Sequence, residues 1–378
     1  MHIELQQIKT GFSGSYCYVH ARGAVLPGDK AVITTQKLRL SGCDVFSGLE
    51  MMSSSDMGKN WSEITPQYPL RRRDIGGGVE RAFSDATPFY HRKSGKLLLT
   101  GHEVLYINDK LMPPPRPRHT LWSVWDETSG QWSEFKMLDM GDDEKYFSCG
   151  SGSSQIVELD NGELLIPVYF TSRYKAETPW QSTSKAMVLR CSFDGSDIRL
   201  LETGTPLSIE IPRGLGEPSL SCFKGKYFLA LRNDKKGYVS AGDDGLNFCE
   251  PKVLSFDDGS EVGNYCTQQH WLQCGGRLYL VYTRRGADND HVFRHRAPLF
   301  IAEFDPDRLC VIRETEQIAV PERGARLGNF GCCNVSENEA WVIASVWMQT
   351  TGPDNGNWRR CMSYGSDNSI FIARIYGE

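Results

Sequence analysis

Apolar residues along this chain fall into short runs that recur in pairs, the second run of each pair more apolar than the first. The pairs occupy residues 20–37, 84–102, 150–170, 216–234, 266–285 and 328–347. Their second runs read AVITTQK, KLLLTGH, ELLIPVYF, KYFLALRN, RLYLVYTRR and AWVIASVW. β-Branched and aromatic runs bounded by Gly or Asp/Asn turns predict strands, and each pair predicts an antiparallel hairpin. The turn markers Gly28, Gly95, Gly162, Gly225, Gly276 and Asn338 are spaced by 67, 67, 63, 51 and 62 residues. One such interval holds a four-stranded unit with its loops. A lone unit of this size cannot bury both sheet faces, so the copies must stack around an axis. The pattern therefore predicts an all-β fold: a six-bladed β-propeller with four-stranded antiparallel blades, forming one domain over 1–378. The last apolar run, Ser369 to Ile375, is expected to pair with the N-terminal segment and close the ring.

A second pattern agrees. Ser54-Ser55-Asp56-Met57-Gly58-Lys59-Asn60-Trp61 fits S-x-D-x-G-x-x-W, and Ala241 to Phe248 is a weaker copy with Ala for Ser and Phe for Trp. Asp and Gly favour a tight turn, here between two outer strands, with the aromatic residue packing between blades.

Composition narrows the function. No apolar run reaches the eighteen or so residues that span a bilayer. A net charge of −5 offers no broad basic surface for nucleic acid. The start, Met1 to Gln7, has neither a basic nor an apolar leader region. The 12 Cys are scattered without metal-ligand spacing. Free thiols in a reducing cytoplasm are the expectation, with no cofactor and no metal. His291 and His295 lie four apart in a loop and do not complete a ligand set. Nothing in the sequence fixes an oligomeric state.

The repeat also sorts residues by end. The start of each first strand, the end of each second strand and the next connecting loop share one rim. The Ser54–Trp61 turn belongs at the other. The shared rim collects His20 and Arg22, Asp85, Gln155, Glu217 and His270 from hairpin starts. It collects His102, Tyr169, Arg232 and Arg284 from hairpin ends, and Asp44, Arg296 and Tyr364 from connecting loops. Carboxylates, guanidiniums and a phenol converging on one cup suit an anionic, hydroxyl-rich ligand, because the planar fork of Arg binds a carboxylate through two parallel hydrogen bonds.

With these residues in hand, the chain resembles the sialidase (neuraminidase) superfamily, in which the S-x-D-x-G-x-x-W turn is the Asp-box (BNR) repeat. The block from Tyr282 to Phe330 is also similar to bacterial sialidase-like proteins. The resemblance implies an arginine triad that grips a sugar carboxylate, carried here by Arg22, Arg232 and Arg296. Arg22-Gly23-Ala24-Val25 stands where the family has R-I-P-A. Asp44, 22 residues after Arg22 and 10 before Ser54, matches the acid/base aspartate. Glu217 and Arg232 match a glutamate–arginine pair across one hairpin. The family's tyrosine nucleophile is expected at the sixth hairpin start, where this chain has Asn329 and Phe330. Tyr364, on the next rim loop, is the substitute on offer.

Three functions remain open. In a glycoside hydrolase of an acidic or unusual terminal sugar, Asp44 is the general acid and the arginines hold the carboxylate. Glu217 then activates Tyr364 or a water. In a lyase acting on a uronate, His270 or a tyrosine removes the proton α to the carboxylate. The third function is a non-catalytic carbohydrate-binding propeller. Each candidate also has a structural reading, as an inter-blade ion pair (Arg22, Arg232, Arg296, Glu217), a turn cap (Asp44, Asp85) or a core histidine (His270).

Overall fold

The computed structural model describes residues 1–41, 44–178, 182–350 and 357–377. Each apolar pair forms the hairpin its pattern predicts. Tyr16–Leu26 turns through Gly28 into Lys30–Arg39, and Val79–His91 through Gly95 into Lys96–Ile107. Ser148–Gly150 and Val157–Glu158 both pair with Leu164–Thr171. Gly216–Phe223 pairs with Lys226–Arg232, His270–Cys274 with Arg277–Tyr282, and Gly331–Asn334 with Glu339–Ser345. The turn at Lys224–Gly225 puts both residues at positive φ (50° and 79°), the geometry that matches the twist of a tight hairpin.

Outer strands complete four-stranded antiparallel sheets, the blades of a β-propeller. Phe46–Ser54 and Thr65–Pro66 extend the first hairpin, and Gly237–Gly242 and Lys252–Val253 extend the fourth. The second and third sheets are joined by a two-residue parallel bridge, Arg118–His119 against Ser148–Cys149. The last strand, Ile370–Tyr376, accepts the first, His2–Ile8, in register from His2↔Tyr376 to Ile8↔Ile370. Chain start and chain end therefore share one sheet.

The core lies between sheets. Ala24, Val32, Leu49 and Met51 of the first pack against Phe83, Leu97, Leu99 and Leu121 of the second. Ala31, Ile33 and Met52 meet Trp341, Ile343, Ile370 and Ile372 of the C-terminal sheet. The alternation of two buried faces along each strand follows from the period of two. At the outer turn, Ser54 Oγ donates to Asp56, Gly58 N donates to Ser54 Oγ, and the Trp61 indole donates to Gly58 O at 3.1 Å. Trp61 lies edge-on to the buried Trp341 of the neighbouring sheet. In the weaker copy the turn is held by Asp244, which accepts from Leu246 N and Asn247 N. Asp243, its counterpart by alignment, does not take that part. Among the described residues no helix is long and apolar enough to cross a membrane.

Candidate functional site

A recurring defect in the inner strands builds the site. His20, Asp85, Ser153, Glu217 and Cys266 are non-glycine residues at positive φ (57°, 51°, 59°, 43° and 53°), each near the start of its hairpin. The ladder slips at three of these points, between Val19 and Arg22, Ser84 and Thr87, and Gly216 and Ser219. Bulges of this kind re-aim a side chain, and left-handed backbone at a non-glycine residue persists only where its surroundings enforce it. The same strain at the same place in five hairpins marks one rim.

His20, Asp85, Glu217 and Asn329 line a cavity of about 740 Å³ at that rim, together with Asp44, Arg232 and Arg296. Asp85 sits at its floor. One of its oxygens lies 3.5 Å from His20 Nε2 and accepts from Ser153 Oγ (2.8 Å) and Asn329 Nδ2 (3.4 Å). The other lies 3.5 Å from His102 Nε2. Burial alone would raise the Asp85 pKa, but His20, His102 and Arg22 outweigh it and hold the carboxyl well below the usual range. Burial lowers His20 to about 4, against the opposing pull of Asp85.

On the opposite wall, Arg232 forms an ion pair with Glu217 and a second with Asp234 (3.2 Å), which Arg213 also contacts (3.3 Å). Burial alone would lower Arg232, and the facing carboxylates more than reverse it. Arg296 is buried beside it, donating to the Cys266 carbonyl and, through Nη1, to Asn329 Oδ1 (3.2 Å). Among the described residues Arg296 has no carboxylate partner, and burial together with Arg232 depresses its pKa. Gly328 makes room for it: a Cβ there would lie 2.9 Å from Arg296 Cγ and Cδ.

Asp44 is exposed on the loop between the first hairpin and its third strand, at φ 61°. Tyr106 clamps that loop. Its hydroxyl donates to the Asp44 carbonyl (2.8 Å) and accepts from Phe46 N (2.9 Å), while Arg72 stacks on its ring at 4.0 Å.

Five of the expected site residues stand apart from this cavity. Arg22 is fully buried beneath its floor. It donates to Phe330 O, Ala86 O, Asp85, Ser153 Oγ and the Gln268 side chain, so all three guanidinium nitrogens are engaged within the protein. Gln155 bonds to the backbone of Trp271 and lines a second cavity, of about 720 Å³, that also contains the Gly225 turn. His270 is held neutral by burial, at about 3. Gln268 donates to Nε2, and Nδ1 meets Ser219 Oγ, which in turn donates to Gln155. Tyr364 caps the short helix Trp358–Ser363, 45% exposed and stacked on His291 at 4.6 Å. Arg284 faces an outer strand instead, where it makes two hydrogen bonds to Glu316 (2.9 and 2.6 Å) over the Phe300 ring.

For Arg22, Gln155 and His270 the cause is depth along the inner strands. Arg22, Gln155 and Gln268 follow the left-handed residues His20, Ser153 and Cys266 by two, which carries a side chain roughly 6 Å further down the axis. There they form a plug between the two cavities. Gly331, two after Asn329, completes that layer; a Cβ on it would lie 2.8 Å from Arg22 Cγ. In the repeat pattern the two layers read as one rim. That pattern carries no signal for Asn329, which bridges Arg296, Asp85 and His20, or for Arg118, which lines the cavity over the Tyr169 ring.

No family model matches the chain, and no curated protein does. Solved structures do. A protein of unknown function from Dyadobacter fermentans superposes with a TM-score of 0.68 at 13% identity, over 99% of both chains. Trypanosoma rangeli sialidase gives 0.66 at 12% identity, over 98% of this chain and 59% of that one. The Hadza microbial sialidase Hz136 gives 0.66 at 12%, over 98% and 68%. At this identity the likeness carries the fold, a sialidase-like propeller.

Proposed function

We propose that this chain is a six-bladed, sialidase-like glycoside hydrolase that acts on an acidic terminal sugar. One observation carries the reading: a single cavity brings together a loop carboxyl (Asp44), a floor carboxylate (Asp85), the Glu217–Arg232 pair and the buried Arg296, which has no carboxylate partner among the described residues. Arg296, with Arg232 beside it, binds the sugar carboxylate. Asp44 protonates the leaving oxygen. Because Asn329 occupies the place of a tyrosine and Tyr364 lies outside the cavity, the nucleophile is water. Glu217 takes its proton as the water oxygen attacks the anomeric carbon and the bond to the leaving oxygen breaks. Direct displacement of this kind inverts the anomeric centre.

The six-blade count rests on the contacts between neighbouring hairpins, which run from each hairpin to the next and from the sixth back to the first. A panel of aryl glycosides, including sialosides and uronides, tests the activity, and proton NMR of the first-formed anomer tests the route. Release from an acidic glycoside with inversion is expected; turnover of neutral glycosides alone defeats the proposal.

A second reading, a lyase acting on a uronate, is favoured by His20 and His102 flanking Asp85, with Tyr169 edge-on to His102. An unsaturated product absorbing in the ultraviolet would select it.

A further inference from the structure

The cavity has a second cationic wall besides the one that carries the Glu217–Arg232 pair and Arg296. Arg118, at the first residue of strand Arg118–Asp126, lines it with its guanidinium 3.9 Å from the Tyr169 ring centre. Among the described residues this guanidinium makes no hydrogen bond and no ion pair, and its Nε is buried without a partner. Such a group is costly to keep unpaired. It is also tightly placed: a Cβ on Gly150 would lie 3.1 Å from Arg118 Cδ, so the backbone opposite has been cut back to admit it.

Arg116 is its neighbour on the same wall. It donates to the Met112 carbonyl and has no carboxylate partner among the described residues. Burial, then the like charge of Arg118, lower its pKa. Two guanidiniums on one wall, neither hydrogen-bonded nor ion-paired to a carboxylate among the described residues and with only the weaker opposing charge of Asp44 nearby, leave a positive gap that a ligand anion fills.

The two walls come from different blades. Arg116 and Arg118 belong to the second blade, and Arg296 to the fifth, three blades round the ring. Arg232 and Arg296 are fixed on their own wall, Arg232 by Glu217 and Asp234 and Arg296 by Cys266 and Asn329. A volume of about 740 Å³ is ample for more than one sugar ring.

We infer that Arg116 and Arg118 form a second anion subsite, so that the preferred substrate is an acidic oligosaccharide bearing two oxyanionic groups on different sugars. This rests on the assignment of the Arg296 wall to a sugar carboxylate. Sulfate and a second uronate carboxylate share the required chemistry.

Calorimetric titration with three disaccharides tests the inference: one with a single uronate, the same with one added sulfate, and one with two uronates. The second or third is expected to bind about tenfold or more tightly than the first. Arg118→Gln should remove that advantage, and Arg118→Lys should restore only part of it, since Lys keeps the charge without the fork. Arg296→Gln should weaken all three. Thermal unfolding of each variant shows that it is folded. If the mono-uronate binds and the dianions bind no more tightly, the second subsite is wrong while the first stands. The second subsite is equally wrong if Arg118→Gln weakens all three alike. If none binds, the acidic-sugar assignment falls and this inference falls with it.

Discussion

Arg22 reaches Asp85 from below the cavity floor, Nη2 to Oδ1 at 3.4 Å, and the Asp85 carboxylate is the surface that the cavity sees. The guanidinium supplies charge to the site through that contact while remaining inside the axial plug. Arg22 therefore belongs to the architecture of the site, and a ligand meets its effect second-hand.

Replacing Arg22 with Ala should cost stability first. The change leaves Asp85 buried without its fixed countercharge and opens the plug between the two cavities. A loss on the order of 3–5 kcal/mol is expected, the scale of a broken buried pair. Urea unfolding monitored by tryptophan fluorescence checks it; a variant of normal stability that merely binds ligand less well would return Arg22 to the binding wall.

Acid should weaken the fold in a defined window. His20 and His270 are held neutral by burial, at about 4 and about 3, against an ordinary value near 6.5. Between pH 6.5 and those values the unfolded chain binds protons that the folded chain refuses, so stability falls as pH drops and is fully present above 6.5. Each histidine contributes on the order of 3–5 kcal/mol over the full window. Asp85, depressed in the native state, adds a further loss below about pH 4 as the unfolded carboxyl takes up its proton. The urea midpoint should decline steadily from pH 6.5 to 4.5, and more gently in His270→Gln. A flat midpoint over that range would show that these imidazoles are not excluded from protonation.

Tyr106→Phe isolates the clamp on the Asp44 loop. It removes the hydroxyl that joins the Asp44 carbonyl to Phe46 N and keeps the ring under Arg72. Turnover should fall by about tenfold, with KM little changed and the stability loss near 1 kcal/mol, the net worth of a hydrogen bond. Equal loss of turnover and of substrate affinity would mean that the loop does more than carry Asp44.

Arg296→Ala should weaken an acidic sugar by about 2–5 kcal/mol, because the buried cation has no carboxylate partner among the described residues. The neutral analogue of the same sugar should lose little. Equal losses for both would point to collapse around Cys266 and Asn329.

Much of this was legible from the chain. The hairpins announced themselves through paired apolar runs and fixed turn residues, because strand burial has a period of two and tight turns need Gly or Asn. The convergence of Asp85, Glu217, Arg232 and Asp44 followed from their places within the repeat. What the repeat could not supply was depth. His20 and Arg22 look equivalent in sequence, yet the short step between them along the inner strand divides the cavity wall from the plug. Gly331 carries the trace of that division, since only a missing side chain lets Arg22 cross the axis. Arg284 and Tyr364 were lost for a different reason: beyond a strand's last residue, the direction of a side chain depends on packing that no periodicity encodes. Arg118 escaped notice because it opens an outer strand, away from every hairpin start.

The most direct test of the account is the rate of Asp44→Asn on two glycosides of one acidic sugar, one with a poor leaving group and one with a good one. The amide keeps the size of the side chain and cannot donate a proton. Turnover of the poor leaving group should fall by about 10²–10⁴, the usual worth of general acid help, while the good leaving group, which scarcely needs protonation, should lose far less. Equal rates for variant and native protein on both substrates would contradict the assignment of Asp44 as the acid.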